Sequence, residues 1–558
     1  MDKTAILICV LAFFVINFII SYNYKRNTLH RIRSYWGKFP KKSKKAYPEK
    51  YLKSAFKAYL NFNLKNNIID DITWNDLDMI EVFKRINSSN SSLGAEGLYR
   101  RLRITDASKS DQDYIEKLVD FFETHPKERE SIQYIFSKIG KLENNNVLDF
   151  INSKKEAKLY EIGKHILFGL IPLVCTIIII LQFGFDKLYF LGVYPLYILL
   201  GIIIYNISFN QKMKDEIEGQ YKMANYLTSC IYHGKKILKY NLPIEKKLKE
   251  AFKPVKTLGN FSFLGFSEVR SSTAIFVYIF NIIFRISFIT FARAIQIIDK
   301  KKMEVLKLWI LLGDVEAAIS ILNYKLASDY ICKPDFTDSH KIIANKLYHP
   351  LLKEPVANDV NWTKNTLVTG SNASGKSTYV KSIAINAIFA QTIYMCHARE
   401  WTMKKGNILT SMAIKDDVIQ GDSYFIAEIK SLKRLIDNMR TRKDDYYFID
   451  EILKGTNTIE RIAASSSIIS HLIKNHQLAF IASHDIELTK IFEDEIKNIH
   501  FRESIDQKEG ITFDYKLHQG PSTTKNAIAL LSHMDFPKDV IDEANMRVSR
   551  FESENSWS

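Results

Sequence analysis

The fold of the C-terminal part of this chain is decided by the stretch Gly370-Ser-Asn-Ala-Ser-Gly-Lys-Ser377. A short apolar run, Leu367 to Thr369, precedes it, and a helix-forming run, Thr378 to Ala390, follows it. Strand, glycine-rich loop and helix in this order are typical of a phosphate-binding loop, because glycines let backbone N–H groups converge on phosphate oxygens at the positive end of a helix. The sequence therefore predicts a nucleotide site here.

The polar residues of this loop have predicted roles. Lys376 is expected to reach the β- and γ-phosphates, and the Ser377 hydroxyl is expected to ligate Mg²⁺. ATP and Mg²⁺ are the cofactors that the pattern predicts. The loop residues predicted to bind the nucleotide are Gly370, Ser371, Asn372, Ala373, Ser374, Gly375, Lys376, Ser377 and Thr378.

Two carboxylates follow a second predicted strand. The apolar run Tyr446 to Ile449 ends in Asp450-Glu451, at the carboxyl end of a strand, where open α/β sheets bind ligands. Asp450 is predicted to hold Mg²⁺, directly or through water, and Glu451 to act as the general base that polarises the attacking water. A strand that ends in solvated acids is the alternative, and the pairing with the phosphate loop disfavours it.

A histidine is predicted at the same edge of the sheet. The run Leu478 to Ala482 has the composition of a strand, and Ser483-His484-Asp485 follows it. His484 is placed where it can sense the γ-phosphate. The predicted catalytic residues are therefore Glu451, His484 and Lys376.

Apolar runs in the N-terminal half predict three membrane spans. Thr4 to Ser21 has about the minimum length for a bilayer, and Ile166 to Phe185 is separated from Leu188 to Phe209 by only Asp186 and Lys187. Their basic flanks place the ATPase domain in the cytoplasm by the positive-inside rule. The sequence thus predicts a multi-pass membrane protein. The alternatives are an uncleaved signal peptide for the first run and a buried helical hairpin for the other two.

A further apolar run, Ala274 to Ile298, is predicted to be a core helix. Arg285 lies near its middle and Arg293 lies later, and an arginine in mid-bilayer costs about 2.5 to 3.5 kcal/mol on insertion scales. A fourth span would also move the ATPase domain away from cytoplasmic ATP.

The chain is basic, with a formal net charge of +16. Twelve Lys or Arg residues and one acid, Glu49, lie between Lys25 and Lys57, and acidic lipid headgroups are the predicted partner of this block, with DNA as the alternative. The five cysteines are scattered without a CxxC pair, which predicts a reduced compartment and no structural zinc.

The predicted fold class is a membrane-anchored multidomain chain, with an all-α core followed by an α/β P-loop domain that has a mainly parallel sheet. Helical spacing dominates before Lys333-Pro334, and short β-branched runs alternate with helices after it. The predicted segments are an anchor (1–24), a basic juxtamembrane segment (25–68), a first helical part (69–163), a transmembrane hairpin (164–210), a second helical part (211–335) and the ATPase domain with a helical tail (336–558).

These motifs resemble those of the MutS family of DNA mismatch-repair ATPases. Thr369 to Tyr379 is similar to the family's TGPNMGGKSTY, with Ser371 and Ala373 replacing Pro and Met. Asp450 to Thr458 is similar to DEIGRGTST, and Ser483-His484 corresponds to the family's TH switch. The likeness therefore extends well beyond the phosphate loop, and it includes an ABC-type ATPase domain.

Weaker likenesses extend the resemblance to roughly residues 69 to 548, without the predicted hairpin. Tyr348-His349-Pro350 and Val356 to Asp359 resemble the lead-in to the family's nucleotide site. Ser91 to Arg103, Thr124 to Arg129 and Gly313 to Ser320 resemble segments of its helical core.

The resemblance implies a homodimer whose nucleotide sites lie at the subunit interface. Asp422 to Glu428 is similar to the family's STFMxE segment, which implies that Ser423 acts on the nucleotide of the opposite subunit. Glu428 is expected to help couple the sites. Family members that read mismatches carry an N-terminal Phe-x-Glu wedge, and no such reader is visible here, so the resemblance leaves DNA binding open.

Three functions remain as hypotheses from the sequence. The first is a membrane-tethered MutS-like ATPase, in which ATP binding closes the dimer and hydrolysis reopens it. The second is a DNA-binding protein of the mismatch-repair type that acts at the membrane. The third is an ABC-type transport ATPase, which is disfavoured because three spans are few for a transport pathway and no LSGGQ segment is present.

Overall fold

A computed structural model of the chain describes most of its residues. The described ranges are 3–41, 48–62, 67–105, 108–142, 147–153, 162–183, 211–265, 286–370, 374–412, 424–439, 444–475, 477–506, 510–522, 528, 531–532, 534, 536–554 and 556.

Helices make up most of the described chain before residue 327 and alternate with strands after it. In chain order the helices are α1 (Lys3–Tyr35), α2 (Glu49–Leu60), α3 (Asp71–Asp76), α4 (Met79–Ile86), α5 (Ser92–Arg103), α6 (Lys109–Thr124), α7 (Pro126–Ile139), α8 (Val147–Asn152), α9 (Ile162–Phe183), α10 (Gln211–Gly234), a 3-10 helix (Lys235–Tyr240), α11 (Glu245–Gly265), α12 (Ile286–Lys300), α13 (Lys302–Ala327), α14 (Lys376–Thr392), α15 (Tyr424–Met439), α16 (Thr458–Lys474), α17 (Glu487–Ile491) and α18 (Lys538–Glu554).

The strands all lie after residue 334 in the described chain. They are β1 (Asp335–Phe336), β2 (Ile342–Leu347), β3 (Asn358–Trp362), β4 (Thr366–Thr369), β5 (Glu400–Met403), β6 (Ile408–Ser411), β7 (Tyr446–Asp450), β8 (Leu478–Ala482), β9 (Lys497–His500), β10 (Glu503–Asp506), β11 (Gly510–Phe513) and β12 (His518–Gln519).

The chain divides into two compact units. Unit 1 contains residues 1–65, 86–101 and 109–327, and unit 2 contains residues 66–85, 102–108 and 328–558. The predicted first helical part, 69–163, is therefore shared between the two units.

In unit 1, helices α5 and α13 approach each other at two glycines. A Cβ atom added to Gly97 would lie 2.6 Å from the backbone carbonyl carbon of Gly313, so only glycine permits this distance between the helices. Apolar side chains on both helices are buried around the crossing, among them Leu93, Leu98 and Val315. The crossing is therefore fixed by backbone contact as well as by burial of apolar area.

Three buried acidic side chains along the same crossing are all paired. Asp314 accepts hydrogen bonds from Arg100 Nη2 at 2.5 Å and from Arg101 Nε at 3.1 Å. Glu96 accepts from the Trp309 indole N–H at 3.1 Å. Glu316 accepts from the backbone N–H of Asn90 at 2.6 Å and from the Ser91 hydroxyl. Paired acids specify one alignment of the two helices, because an offset would leave a buried charge without its partner.

The predicted membrane anchoring is wrong. Within the ranges that the structure describes, no helix combines the length and the apolar character needed to cross a membrane. The fold class with a membrane anchor and the multi-pass membrane localisation are therefore both corrected, and a lipid partner has no support.

The physical reason for this correction is that hydropathy reads only the apolar part of a helix, whereas α1 continues into a basic half that packs within unit 1. Described side chains of the apolar part, such as Leu11 and Phe18, are exposed. The run Thr4 to Ser21 is part of the 33-residue helix α1, whose later half contacts α7, with Ile32 buried and Arg33 Nε bonded to Glu130 at 3.0 Å. The run Ile166 to Phe185 falls mainly in α9, which contacts α12 of the same unit. The run Leu188 to Phe209 lies outside the described residues.

The segment Ala274 to Ile298 is described only from residue 286 onward, within α12. Phe291, Ala294 and Ile298 of this helix are buried. Its described part therefore contributes to the core of unit 1.

Unit 2 is built on a six-stranded sheet with the strand order β12-β9-β4-β8-β7-β6. The five strands from β9 to β6 pair in parallel, and β12 pairs antiparallel at one edge. The central strands are buried on both faces, as the exposure of 1% or less from Tyr446 to Ile449 shows. This burial explains why the strand sequences are continuous apolar runs.

A second sheet in unit 2 has the order β1-β5-β2-β3 and is mostly antiparallel. Its strands lie before and after the phosphate loop in the chain, and the sequence did not predict it as a separate sheet. Tyr348, just after strand β2, and Asn358, the first residue of strand β3, line a cavity together with residues of the phosphate loop.

Residues 66–85 complete unit 2 although they lie far from it in sequence. Asp76 accepts hydrogen bonds from Thr410 Oγ1 at 2.7 Å and from the Met412 N–H at 3.0 Å. Asp70 caps helix α3 and also accepts a hydrogen bond from Arg434. These buried polar contacts join the segment to strand β6 and helix α15.

Candidate active site

Three strand ends bring the predicted catalytic segments together. Strand β8 lies between β4 and β7, with Ala482 paired to Val368 on one side and to Asp450 on the other. The phosphate loop, the Asp450-Glu451 pair and the Ser483-His484 pair therefore leave the sheet at the same edge. This arrangement follows from parallel pairing, which puts all carboxyl ends on one side.

The phosphate loop needs its two described glycines. Gly370 has a φ of +132°, and a Cβ atom there would lie 2.4 Å from the carbonyl oxygen of Phe501. Gly375 has a φ of +103° and is the N-cap of α14, with no side chain bonded to the first N–H groups of that helix. The start of α14 therefore has donors and positive potential that suit an anion.

Lys376 is folded into the loop. Its side chain is 2% exposed, and Nζ donates a hydrogen bond to the carbonyl oxygen of Gly370. Burial lowers the pKa of Lys376, and the carboxylates of Asp450 and Glu451 oppose this effect. The ammonium group of Lys376 therefore lies between the loop and the two carboxylates. Its present acceptor, the Gly370 carbonyl oxygen, can be exchanged for a phosphate oxygen.

Asp450 and Ser377 form a pair suited to Mg²⁺. Burial raises the pKa of Asp450, and a hydrogen bond from the Ser377 side chain works in the opposite direction. A partly buried carboxylate next to a hydroxyl favours a hard cation, and Mg²⁺ is usually held by one or two protein oxygens together with phosphates and water. The donor set that the sequence predicted for the metal is therefore present and fits.

Glu451 has both carboxylate oxygens engaged. His484 Nδ1 lies 3.3 Å from Oε1, and Lys454 Nζ lies 2.6 Å from Oε2. The hydrogen bond to His484 lowers the pKa of Glu451 to about 2, burial partly opposes it, and Lys454 reinforces it. The group is thus ionised at neutral pH, which is the form that accepts a proton. Each carboxylate oxygen can accept a second hydrogen bond, so a water molecule can bind beside these two contacts.

The backbone around Glu451 is strained. Glu451 has a φ of +57° and Leu453 has a φ of +55°, conformations that cost non-glycine residues about 1 to 3 kcal/mol each. Glu428 of helix α15 holds this turn, because its Oε1 accepts a hydrogen bond from the Lys454 N–H at 3.1 Å. Burial raises the pKa of Glu428, and its Oε2 has no hydrogen-bond partner in the described chain. Glu428 therefore supports the turn that carries Glu451, the predicted general base.

Arg461 and Asp485 are site residues that the motif analysis did not single out. Arg461 donates to both carboxylate oxygens of Asp485, at 3.0 and 2.7 Å. Asp485 in turn lies 3.7 Å from His484 Nε2. Such a bidentate pair fixes both side chains in one plane, so it orients the turn that carries His484. No spacing in the sequence links these residues, since they come from a helix and a separate turn.

A cavity of about 450 Å³ adjoins the loop in unit 2. Val356, Leu352 and Tyr515 contribute apolar surface to its walls, and Ser377 and Thr378 line its inner end. Asn358 holds the Tyr515 segment, since it donates to the Tyr515 carbonyl and accepts from the Leu517 N–H, both at 2.9 Å. The cavity brings the predicted lead-in segment to the phosphate loop, and Tyr515 is a further residue that the sequence did not indicate.

The remaining predicted residues lie outside the described part of the chain. These are Ser371, Asn372 and Ala373 of the loop, and Ser423 before helix α15. The structure brings together Gly370, Ser374, Gly375, Lys376, Ser377, Thr378, Asp450, Glu451 and His484.

Comparisons with known proteins agree with this geometry. Residues 366–552 match the family described as MutS domain V. The DNA mismatch repair protein MutS of Listeria welshimeri is 28% identical over 240 residues, which cover 41% of this chain and 28% of that protein. The MutS protein of Oceanobacillus iheyensis is 27% identical over 281 residues, or 47% of this chain and 32% of that protein. MutS protein homolog 4 of Mus musculus is 30% identical over 228 residues, or 38% of this chain and 23% of that protein.

The matched region thus spans less than a third of the length of these curated relatives. The family match over residues 366–552 contains the phosphate loop, the Asp450-Glu451 pair and His484.

Proposed function

Because the chain belongs to the MutS family through its C-terminal domain, we propose that it binds and hydrolyses ATP at the edge of the six-stranded sheet and uses this cycle to change conformation as a dimer. The observation that carries this proposal is the alignment of the phosphate loop, Asp450-Glu451 and His484 at three paired strand ends. A chance phosphate-loop pattern would lack these partners.

The described residues divide the work of hydrolysis. The start of α14 and Lys376 would receive the phosphates, and Ser377 and Asp450, which are hydrogen-bonded to each other, would hold Mg²⁺. Bound Mg²⁺ supplies positive charge that offsets the charge developing on the phosphates. Glu451 takes the proton of the attacking water. His484, whose turn is held by the Arg461–Asp485 pair, senses whether a γ-phosphate is bound. The strained turn at Glu451 keeps its carboxylate directed at the loop.

The cavity beside the loop has the size and walls for the nucleoside part. Its volume of about 450 Å³ is within the usual range for small-molecule sites. The ring of Tyr515 and the aliphatic walls suit a planar base. Gly375 leaves room for the Tyr515 ring, because a Cβ atom added to Gly375 would lie 3.1 Å from Tyr515 Cδ1. Adenine is the base that we assign to this cavity.

The dimer and DNA are the partners that the family membership supports. The relatives are named as DNA mismatch repair proteins, and the net charge of +16 favours a polyanion. A dimer in which each chain completes the other's nucleotide site remains part of this proposal. It rests on the likeness of the Asp422 to Glu428 segment to the family.

Two variants test the ATPase proposal. Lys376→Ala should abolish ATP binding, because it removes the cation at the centre of the loop. Glu451→Gln should retain ATP binding but lower kcat by at least about a hundredfold, because it removes the general base. Binding is measured by calorimetry and turnover by phosphate release, using the full chain with Mg²⁺.

Lys490→Ala and Glu493→Gln are the matched controls, since both side chains are exposed and lie beyond the site in the same unit. They should behave as the unaltered protein does. Hydrolysis at the unaltered rate in both site variants contradicts the proposal.

A further inference from the structure

A second cavity, of about 510 Å³, lies wholly within unit 1. Its walls come from the end of α1 with the turn that follows, from α7, and from the turn before α5. It contains none of the residues of the nucleotide site. Three of its wall residues, Arg31, Lys38 and Lys41, belong to the basic block between Lys25 and Lys57, for which the sequence predicted a lipid partner.

The walls carry four cations and no acid. Arg31, Lys38, Lys41 and Lys141 all line the cavity. None of the four has a salt bridge to a carboxylate within the residues that the structure describes. Desolvation lowers the pKa of Lys141, the buried Glu316 opposes this effect, and Arg31 reinforces it. The walls of the cavity therefore carry a net positive charge, which the Glu316 carboxylate offsets in part at Lys141.

Buried polar atoms of the walls also lack partners. Gln133 is 5% exposed, and its Oε1 has no hydrogen bond within the described chain. The hydroxyl of Ser88, on the facing turn, is likewise buried without a partner. A buried polar group without a hydrogen bond costs about 1 to 3 kcal/mol. A polar ligand in the cavity removes this cost.

The turn that carries Lys38 and Lys41 is held in place before any ligand enters. Asn323 of helix α13 is 2% exposed, accepts from the Gly37 N–H at 2.8 Å, and donates to the Lys38 carbonyl at 3.1 Å. The ring of Trp36, which also lines the cavity, is stacked 3.6 Å from the guanidinium of Arg129. A site whose walls are already ordered loses little entropy when it binds.

From these observations we propose that the unit 1 cavity is a binding site for a small molecule that bears phosphate groups. Four cations around one cavity match an anion with several charges. The Ser88 hydroxyl can donate to a phosphate oxygen, whereas Gln133 Oε1 accepts and therefore matches a donor such as a hydroxyl elsewhere on the ligand. The volume accommodates a ligand of nucleotide size. This site is separate from the ATP site and stands independently of the ATPase proposal.

Titration with inorganic pyrophosphate tests the proposal. The full chain carries Lys376→Ala and is kept free of Mg²⁺, so that the phosphate loop contributes little binding. We expect one pyrophosphate per chain by calorimetry. Arg31→Gln with Lys141→Gln should weaken binding at least tenfold, because each charge-assisted hydrogen bond contributes about 1.5 kcal/mol or more.

Matched controls separate this site from general attraction by a basic protein. Lys117→Gln with Lys127→Gln removes the same charge from exposed positions of unit 1, and it should leave the dissociation constant within about twofold. Ser88→Ala, which removes the hydroxyl that can donate to a phosphate oxygen, should weaken binding by about threefold or more. Citrate should bind at least tenfold more weakly than pyrophosphate.

Three results overturn the proposal. They are no saturable pyrophosphate binding, equal losses in the two double variants, and equal affinity for citrate. If the double pocket variant does not fold, the Ser88→Ala variant and the citrate comparison decide.

Discussion

Glu316 is an acid placed where water does not reach it. It is 1% exposed, and burial raises its pKa to about 7 from an ordinary value of 4.5. The hydrogen bonds from Ser91 and Asn90 and the charge of Lys141 work in the opposite direction. The folded protein therefore binds a proton at pH 5 to 6 that the unfolded chain releases.

The stability of the protein should consequently fall as pH rises through this window. Between pH 4.5 and 7 the native state holds more protons than the unfolded state, and the free energy of unfolding decreases with pH wherever that is so. From pH 5 to 7 we expect a loss on the order of 2 kcal/mol that Glu316→Gln does not show. Urea unfolding at a series of pH values measures it.

Glu304→Gln is the control for this experiment, because Glu304 is exposed on the same helix. It should follow the profile of the unaltered protein. Parallel profiles for Glu316→Gln and the unaltered protein contradict the assignment of the titration to Glu316.

At the scale of single residues, the sequence identified the site residues that lie at fixed spacing within one short motif. Gly370, Lys376 and Ser377 were predictable because glycine spacing and a following helix determine a phosphate loop. Arg461 and Tyr515 were not, since each acts through a neighbour that is distant in sequence, Asp485 in one case and Asn358 in the other. Only the folded sheet makes them neighbours of the loop.

At the scale of elements, the crossing of α5 and α13 depends on the absence of side chains. Gly97→Ala should lower the free energy of unfolding by about 2 kcal/mol, because the new methyl group meets the Gly313 backbone, which cannot rotate away. Thermal or urea unfolding of the full chain measures the change.

Gly219→Ala is the matched control for this crossing. Gly219 lies in helix α10, and a Cβ atom there meets nothing within 4 Å. This substitution should stabilise the protein by up to about 1 kcal/mol, because alanine is the better helix former. A Gly97→Ala variant as stable as Gly219→Ala is incompatible with the close crossing.

Strands and helices differ in how well the sequence predicted them. The strands near Thr366–Thr369, Tyr446–Asp450 and Leu478–Ala482 were predicted almost to the residue, because apolar β-branched runs between loops have few alternatives. The function of the apolar helices was predicted wrongly. Hydropathy measures apolar length, and it does not show how an apolar helix is used. Helix α9 contacts α12, although many of its described apolar side chains are exposed.

At the scale of the whole molecule, the net charge of +16 leads to a prediction about DNA. If about six phosphates are contacted, the logarithm of the association constant for duplex DNA should fall with the logarithm of salt concentration with a slope of about −5. Fluorescence anisotropy of the full chain with a labelled duplex measures the slope. ATP turnover measured in parallel should rise on addition of the duplex.

An uncharged competitor polymer of similar length is the control, and it should leave both readings unchanged. Absence of DNA binding at low salt removes DNA as a partner. The ATPase proposal does not depend on that result, because its variants are scored without DNA.

Unit 2 is assembled from three separate pieces of chain, and this has a consequence for how the protein is made. Two of these pieces, residues 66–85 and 102–108, are synthesised long before the rest of unit 2. The hydrogen bonds of Asp76 with Thr410 and of Asp70 with Arg434 can therefore form only much later. Long-range pairing of this kind slows folding. Unit 2 can therefore reach its final form only after the segments around Thr410 and Arg434 have been synthesised, and until then its early segments are open to aggregation.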